Sequence, residues 1–156
     1  MPLNYLPLMA PVGSARPARQ VVASQLTPWT PLARPMANAT VALLTSSAVR
    51  LRDQPRFLPR DDTTYRAIPF EVSTGELEID HGSPVGADAR RDLEIVVPRR
   101  ALADLAHEGV VGAVAPHWFS FYGGIRPLPQ VEADLAPALA GELLAARADL
   151  AILIPY

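Results

Sequence analysis

The 156-residue chain is 49% apolar and sets 14 basic against 16 acidic side chains, a formal charge of -2. That is enough apolar material for one compact domain with a real core, and too little concentrated positive charge to hold a phosphate backbone, so nucleic acid is not an expected partner. Every basic residue is arginine and cysteine is absent, which removes Schiff-base and Walker lysines, disulfides, thiolate nucleophiles and sulfur-ligated zinc from the chemistry this chain can supply. Three histidines are left as bases near neutral pH. No run reaches the roughly 18 apolar residues of a membrane span, and Met1 to Pro11 lacks a basic start followed by an apolar core. A cytoplasmic protein without membrane contact is the expectation.

In chain order, residues 1–37 carry prolines at 2, 7, 11, 17, 28, 31 and 35. Each removes a backbone donor and holds its predecessor extended, which predicts an irregular arm with one short helix near Arg19 to Gln25. Residues 38–156 are expected to form an α/β domain. Thr40 to Thr45 reads as a buried parallel strand, Arg50 to Asp62 as a surface loop, and Tyr65 to Val72 as a short strand. The β-rich run Leu93 to Val97 predicts a strand; Pro98 then opens a helix from Arg99 to Glu108, which Gly109 stops. Val110 to Val114 predicts another strand, and residues 116–129 an aromatic, Gly- and Pro-rich loop. Val131, Leu135, Leu139 and Leu143 mark one stripe of a helix running to about Arg147, with Pro137 either kinking it or opening its main part. Leu150 to Ile154 is the final strand. The alternation implies a three-layer domain, a mainly parallel sheet with helices on both faces. Gly109 to Gly112 precedes a strand instead of opening a helix, so it is not a dinucleotide fingerprint.

Several segments, taken in order, resemble a known family: Pro28 to Leu32, Val41 to Thr45, Thr64 to Pro69, Asp80-His81, Asp92 to Pro98 and Phe119 to Gly123. Together they are similar to the glycine, sarcosine, betaine and D-proline reductase family, selenoprotein B type, over roughly residues 28–156. The resemblance implies an oxidoreductase that reductively cleaves a carbon–nitrogen bond of an amino acid or amine, with a disulfide as redox partner. It also implies a selenocysteine or cysteine directly after Tyr156. Because UGA encodes selenocysteine, this chain is expected to be the N-terminal piece of such a protein, binding no cofactor of its own. A small amine or amino-acid substrate, a partner subunit of a reductase complex and a homo-oligomer are the expected partners. Two other readings stand beside this one: a redox-inactive relative that binds a small ligand or partner, and a hydrolase or lyase built on histidine.

The candidate catalytic residues are His81 and Asp80, since the family places a histidine here and an imidazole can protonate a leaving amine. Their loop, Asp80 to Pro84, is equally typical of ordinary turn formers. His117, Ser120, Tyr122, Gly123, Gly124 and Arg126 are the candidate substrate-binding residues, because their loop follows a predicted strand and offers hydroxyls, a close backbone approach and one guanidinium for a carboxylate. Aromatic residues in such a loop commonly just close the core. His107, beside Glu108 at a helix end, reads as a surface residue. His81 and His117 lack ligand spacing, so no metal is expected.

Overall fold

The computed structural model describes residues 30–82, 86–125 and 128–156. Leu32–Tyr156 form one compact unit, while Met1–Pro31 are apart from it and lie almost wholly outside the described residues, as does the helix expected near Arg19 to Gln25. Residues 32–37, placed with the Pro-rich arm by composition, belong to the larger unit. Its 3₁₀ turn Met36–Asn38 presents Met36 O to the Gly112 amide at 3.1 Å. No helix among the described residues is long and apolar enough to cross a membrane.

The described strands are β1 (Thr40–Thr45), β2 (Val49–Leu51), β3 (Tyr65–Pro69), β4 (Leu77–Ile79), β5 (Ala113–Val114), β6 (His117–Phe121) and β7 (Leu150–Ile154). The described α-helices are α1 (Gly86–Arg91), α2 (Arg99–His107), α3 (Leu128–Gln130) and α4 (Ala136–Ala145). β1 is the central strand, buried on both faces as its unbroken apolar run requires. Along one side it pairs in parallel with β7, from Val41↔Leu150 to Thr45↔Ile154. Along the other it pairs in parallel first with β5 (Val41↔Val114) and then with β6 (Leu44↔Phe119). Between those two pairs the β5–β6 line holds two residues more than β1, taken up at Ala115-Pro116. β3 closes that side as an antiparallel strand on β6, and β2 and β4 form a separate antiparallel ribbon.

Alternation along the strands sorts the core into two layers. Val41, Leu43 and Trp118 point to one face, where Ala89 of α1, Leu102 of α2 and the segment Leu93 to Val97 cover them. Leu44 and Phe119 point to the other, under Leu135 and Leu139, with Val131 and Leu143 completing the predicted stripe. The three-layer α/β architecture is thus present, with four parallel strands and one antiparallel. Tyr65 ties the second layer to the sheet: its hydroxyl donates to Glu142 Oε1 of α4 at 2.6 Å, and its ring meets Phe119 edge-on at 5.9 Å. Pro137 opens α4 at its first turn, and the wide π turn Val131–Leu135 before it absorbs the missing amide.

Three expectations for the second half of the chain change. Leu93 to Val97 is not a strand but a 3₁₀ turn, Leu93–Ile95, capped by Asp92, whose carboxylate accepts from Glu94 N at 3.1 Å. Leu93, Val96 and Val97 are buried and Ile95 is exposed, which is the i, i+3, i+4 pattern of a helical turn. The strand expected over Val110 to Val114 is only Ala113–Val114. Val110 still serves the end of α2: with Gly109 at φ 73°, Gly109 N reaches Ala106 O and Val110 N reaches Leu105 O, a Schellman stop. The predicted loop 116–129 contains β6, whose Trp118, Phe119 and Ser120 are fully buried. Aromatic β-formers outweighed the flanking Pro116 and Gly123-Gly124.

Candidate active site at the strand ends

Four chain segments meet at the carboxyl ends of β1, β6 and β7. After β1 the backbone turns through Ser46, Ser47 and Ala48. Ser46 N donates to Ile154 O at 3.1 Å, and Ala48 N donates to Phe121 O at 3.0 Å, so this turn is wedged between the ends of β7 and β6. Ala48 adopts φ 54°, a left-handed conformation unusual for a residue with a side chain, held here inside the core. Thr45 Oγ1 donates to Ser47 Oγ at 2.9 Å, and Ser47 bridges to Tyr122.

Gly123 lets these ends approach. A Cβ there would stand 2.8 Å from Ser46 O and 3.0 Å from Tyr156 O, both backbone atoms. Tyr156 N donates to Ser46 Oγ at 2.8 Å, which fixes the end of β7 beside the serine turn. Gly124 follows at φ 74°, a turn position suited to glycine.

The fourth segment comes from β4. Asp80 N donates to Ala48 O at 3.0 Å, and this delivers His81 to the cluster. The His81 ring stacks on Tyr122 at 5.0 Å with an interplanar angle of 23°, and meets the Tyr156 ring edge-on at 5.1 Å. Burial pushes its pKa below the usual value of 6.5, so the imidazole is neutral at pH 7. Burial likewise raises the Tyr156 phenol, against a lowering pull from Arg90, and its buried hydroxyl has no hydrogen-bond partner among the described residues. The arrangement is a neutral imidazole held between two phenol rings at the mouth of a parallel sheet, where open α/β sheets bind their ligands.

Asp80 holds the segment in place. Its Oδ2 accepts from Arg50 Nε at 2.8 Å and from Phe57 N at 2.9 Å. Arg50, expected in a surface loop, is instead a buried residue of β2. It also pairs with Glu78 and donates to the carbonyls of Leu51, Arg52 and Gln54. The hydrogen bond to Asp80 is the main influence holding its guanidinium above the ordinary range. A cavity of about 430 Å³ opens beside Asp80, with Arg56, Arg90 and Arg91 among its lining residues.

The structure thus brings His81, Asp80, Tyr122, Gly123 and Gly124 to one end of the sheet. Ser120 is fully buried one step earlier, where its Oγ accepts from Val49 N at 2.8 Å and fixes β2 to the sheet. His117 stands at the opposite end of β6, about 16 Å away along the strand, beside a second cavity lined by Phe70, Glu71, Ala103 and Pro116. Arg126 lies outside the described residues. Ser46, Ser47 and Tyr156 were not singled out from sequence as site residues. Their signal was position alone, directly after predicted parallel strands. Among the described residues no group of three or more His, Asp or Glu is placed to hold a metal ion.

Fold and site together define an α/β domain in which several of the candidate site residues gather where its parallel strands end. Over 125 residues this chain is 29% identical to the D-proline reductase subunit gamma of Acetoanaerobium sticklandii. The match covers 80% of this chain and 52% of that protein, so the chain spans about half the length of the relative it matches. The similarity supports the reductase side of the resemblance and does not single out the selenoprotein B type. No family model and no solved structure matches.

Proposed function

We propose that this domain is the substrate-handling part of a reductase subunit that cleaves a carbon–nitrogen bond of an amino acid or amine. The observation that carries this reading is the convergence of His81, Tyr122, Gly123 and Tyr156 at the strand ends, in a chain similar to a D-proline reductase subunit. In such a reaction the C–N bond is replaced by one C–H and one N–H bond, while two thiols, or a selenol and a thiol, become a disulfide or its selenium counterpart. Neither group occurs in this chain; a thiol or selenol supplied beside Tyr156 would provide the nucleophile. His81, resting neutral, accepts the proton that a thiol gives up and returns it to the departing nitrogen. Tyr122 and Tyr156 orient the ring and keep water from it. Arg90, which lines the cavity beside Asp80 and acts on the Tyr156 hydroxyl, is the described cation best placed for a substrate carboxylate. Acting as one subunit of a larger assembly is part of the same reading.

The test is reductive turnover of D-proline, with a dithiol as electron donor, by a complete subunit carrying this domain. His81→Ala is expected to lower kcat by about 100-fold or more with a cooperative melt retained, in line with loss of a general acid–base group. His117→Ala, at the other end of β6, is expected to be neutral. Full activity in His81→Ala would remove the acid–base role of His81, and no turnover by the complete subunit would remove the reading.

A further inference from the structure

The sheet has two outer edges, and among the described residues only one is covered. On the β3 side, the preceding loop lies over the strand. Gln54 Nε2 donates to Ala67 O at 2.9 Å, Arg66 Nε donates to Pro55 O at 2.9 Å, and the Arg66 guanidinium sits 4.2 Å from the centre of the Phe57 ring. On the other side, β7 pairs with β1 and with no other strand among the described residues. Exposed edges are normally blunted by charge, proline or a bulge. β7 has none of these: Leu150-Ala151-Ile152-Leu153-Ile154 is uncharged and pairs with β1 in unbroken register.

Its side chains are also partly uncovered on both faces. Leu150 and Ile152, on the face of Leu43, are each 37% exposed, and Leu153, on the face of Leu44, is 69% exposed. Leu144 of α4, the helix packed on that second face, is 77% exposed. A parallel strand in this state resembles the interior of a larger sheet. A single extended peptide would satisfy the backbone but leave both faces open; a strand accompanied by its own covering layers satisfies all three.

We propose that β7 is an interior strand of the working sheet and that its outer edge is taken by the polypeptide corresponding to the part of the D-proline reductase subunit this chain does not match. That part is the remaining 48% of the relative's length, enough for a strand with helices on both sides. The inference rests on the reductase-subunit reading. It also gives the site its missing wall: whichever way the added strand runs, one of its ends lies beside Ile154 to Tyr156, and so beside His81. The active site is then shared between the two parts.

The experiment mixes this chain with the unmatched part of the Acetoanaerobium sticklandii subunit, expressed separately, and follows mass by light scattering and amide exchange by mass spectrometry. A one-to-one complex is expected, in which the peptide covering Leu150–Ile154 exchanges at least about 10-fold more slowly than in the chain alone, while β3 is unchanged. The double variant Leu144→Lys/Leu153→Lys is expected to weaken the complex at least about 10-fold, with a cooperative melt retained. Leu58→Lys, also exposed but in the loop on the β3 side, is expected to bind normally. No complex, a complex with β7 unprotected, or a chain that dimerises alone through a protected β7 would each overturn the proposal. Activity is not read here, so a complex that forms with β7 protected yet does not turn over D-proline would refute the reductase reading and leave the edge assignment intact.

Discussion

At His81 a neutral, half-buried ring packs against Tyr122 and Tyr156, which makes the domain's stability depend on pH in a definite direction. The unfolded chain takes up a proton near pH 6.5, whereas the folded ring does so at lower pH because of its burial. The contribution is complete above 6.5 and is lost as pH falls from there through the folded value. The melting temperature is expected to drop between pH 7.5 and 5.5, and His81→Phe, which keeps the stack and removes the titration, is expected to drop less. Gly123 gives a second prediction at this scale. Alanine there would push against Ser46 O and Tyr156 O, two backbone atoms that cannot swing aside, and is expected to destabilise the domain by about 1–3 kcal/mol in urea titration. Tyr122 and Gly123 were singled out because their loop follows a predicted strand, and His81 because the family resemblance puts a histidine at that point. Ser120 was misplaced because a hydroxyl in a loop and one inside a strand look alike in sequence; only the pairing of β6 shows that Val49 N claims it.

Among the elements, those with a clean period were the readable ones. β1 and β7 are short unbroken apolar runs, α2 has its Pro98 start and Gly109 stop, and the stripe from Val131 to Leu143 lies where its spacing puts it. Leu93 to Val97 failed because β-branched composition concealed an i, i+3, i+4 arrangement, and β6 failed because Pro116 and the paired glycines read as loop signals. The end of α4 offers a test of helix-stop physics. Arg147 occupies the left-handed position at φ 53°, with Arg147 N on Leu144 O and Ala148 N on Leu143 O, the same stop that Gly109 makes for α2. Arg147→Gly is expected to stabilise the domain by about 0.5–1 kcal/mol, since a left-handed non-glycine residue costs about 1–2 kcal/mol and glycine's greater unfolded freedom takes part of that back. A thermal melt raised by a few degrees is the readout.

For the molecule as a whole, strand order is what one-dimensional pattern does not contain. Nothing in Ala113–Val114 or His117–Phe121 announces that both lie along the same flank of β1, or that Leu150–Ile154 lies at an edge. Those facts come from which faces must be buried together. The two surplus residues at Ala115-Pro116 act as a spacer of fixed length. Side chains alternate with a period of two, so an even surplus leaves Trp118 inward on the same layer as Val114. Removing one residue would invert β6 and put Trp118 under the wrong helices, and that variant is expected not to fold. Removing both keeps every face correct but draws Tyr122 and Gly123 about 7 Å along the sheet, out of step with His81. Such a shortened chain is expected to melt cooperatively yet lose the ring stack, visible as altered His81 resonances in NMR. The protein's reach from core to strand-end rim is thus measured out in its backbone, two residues at a time.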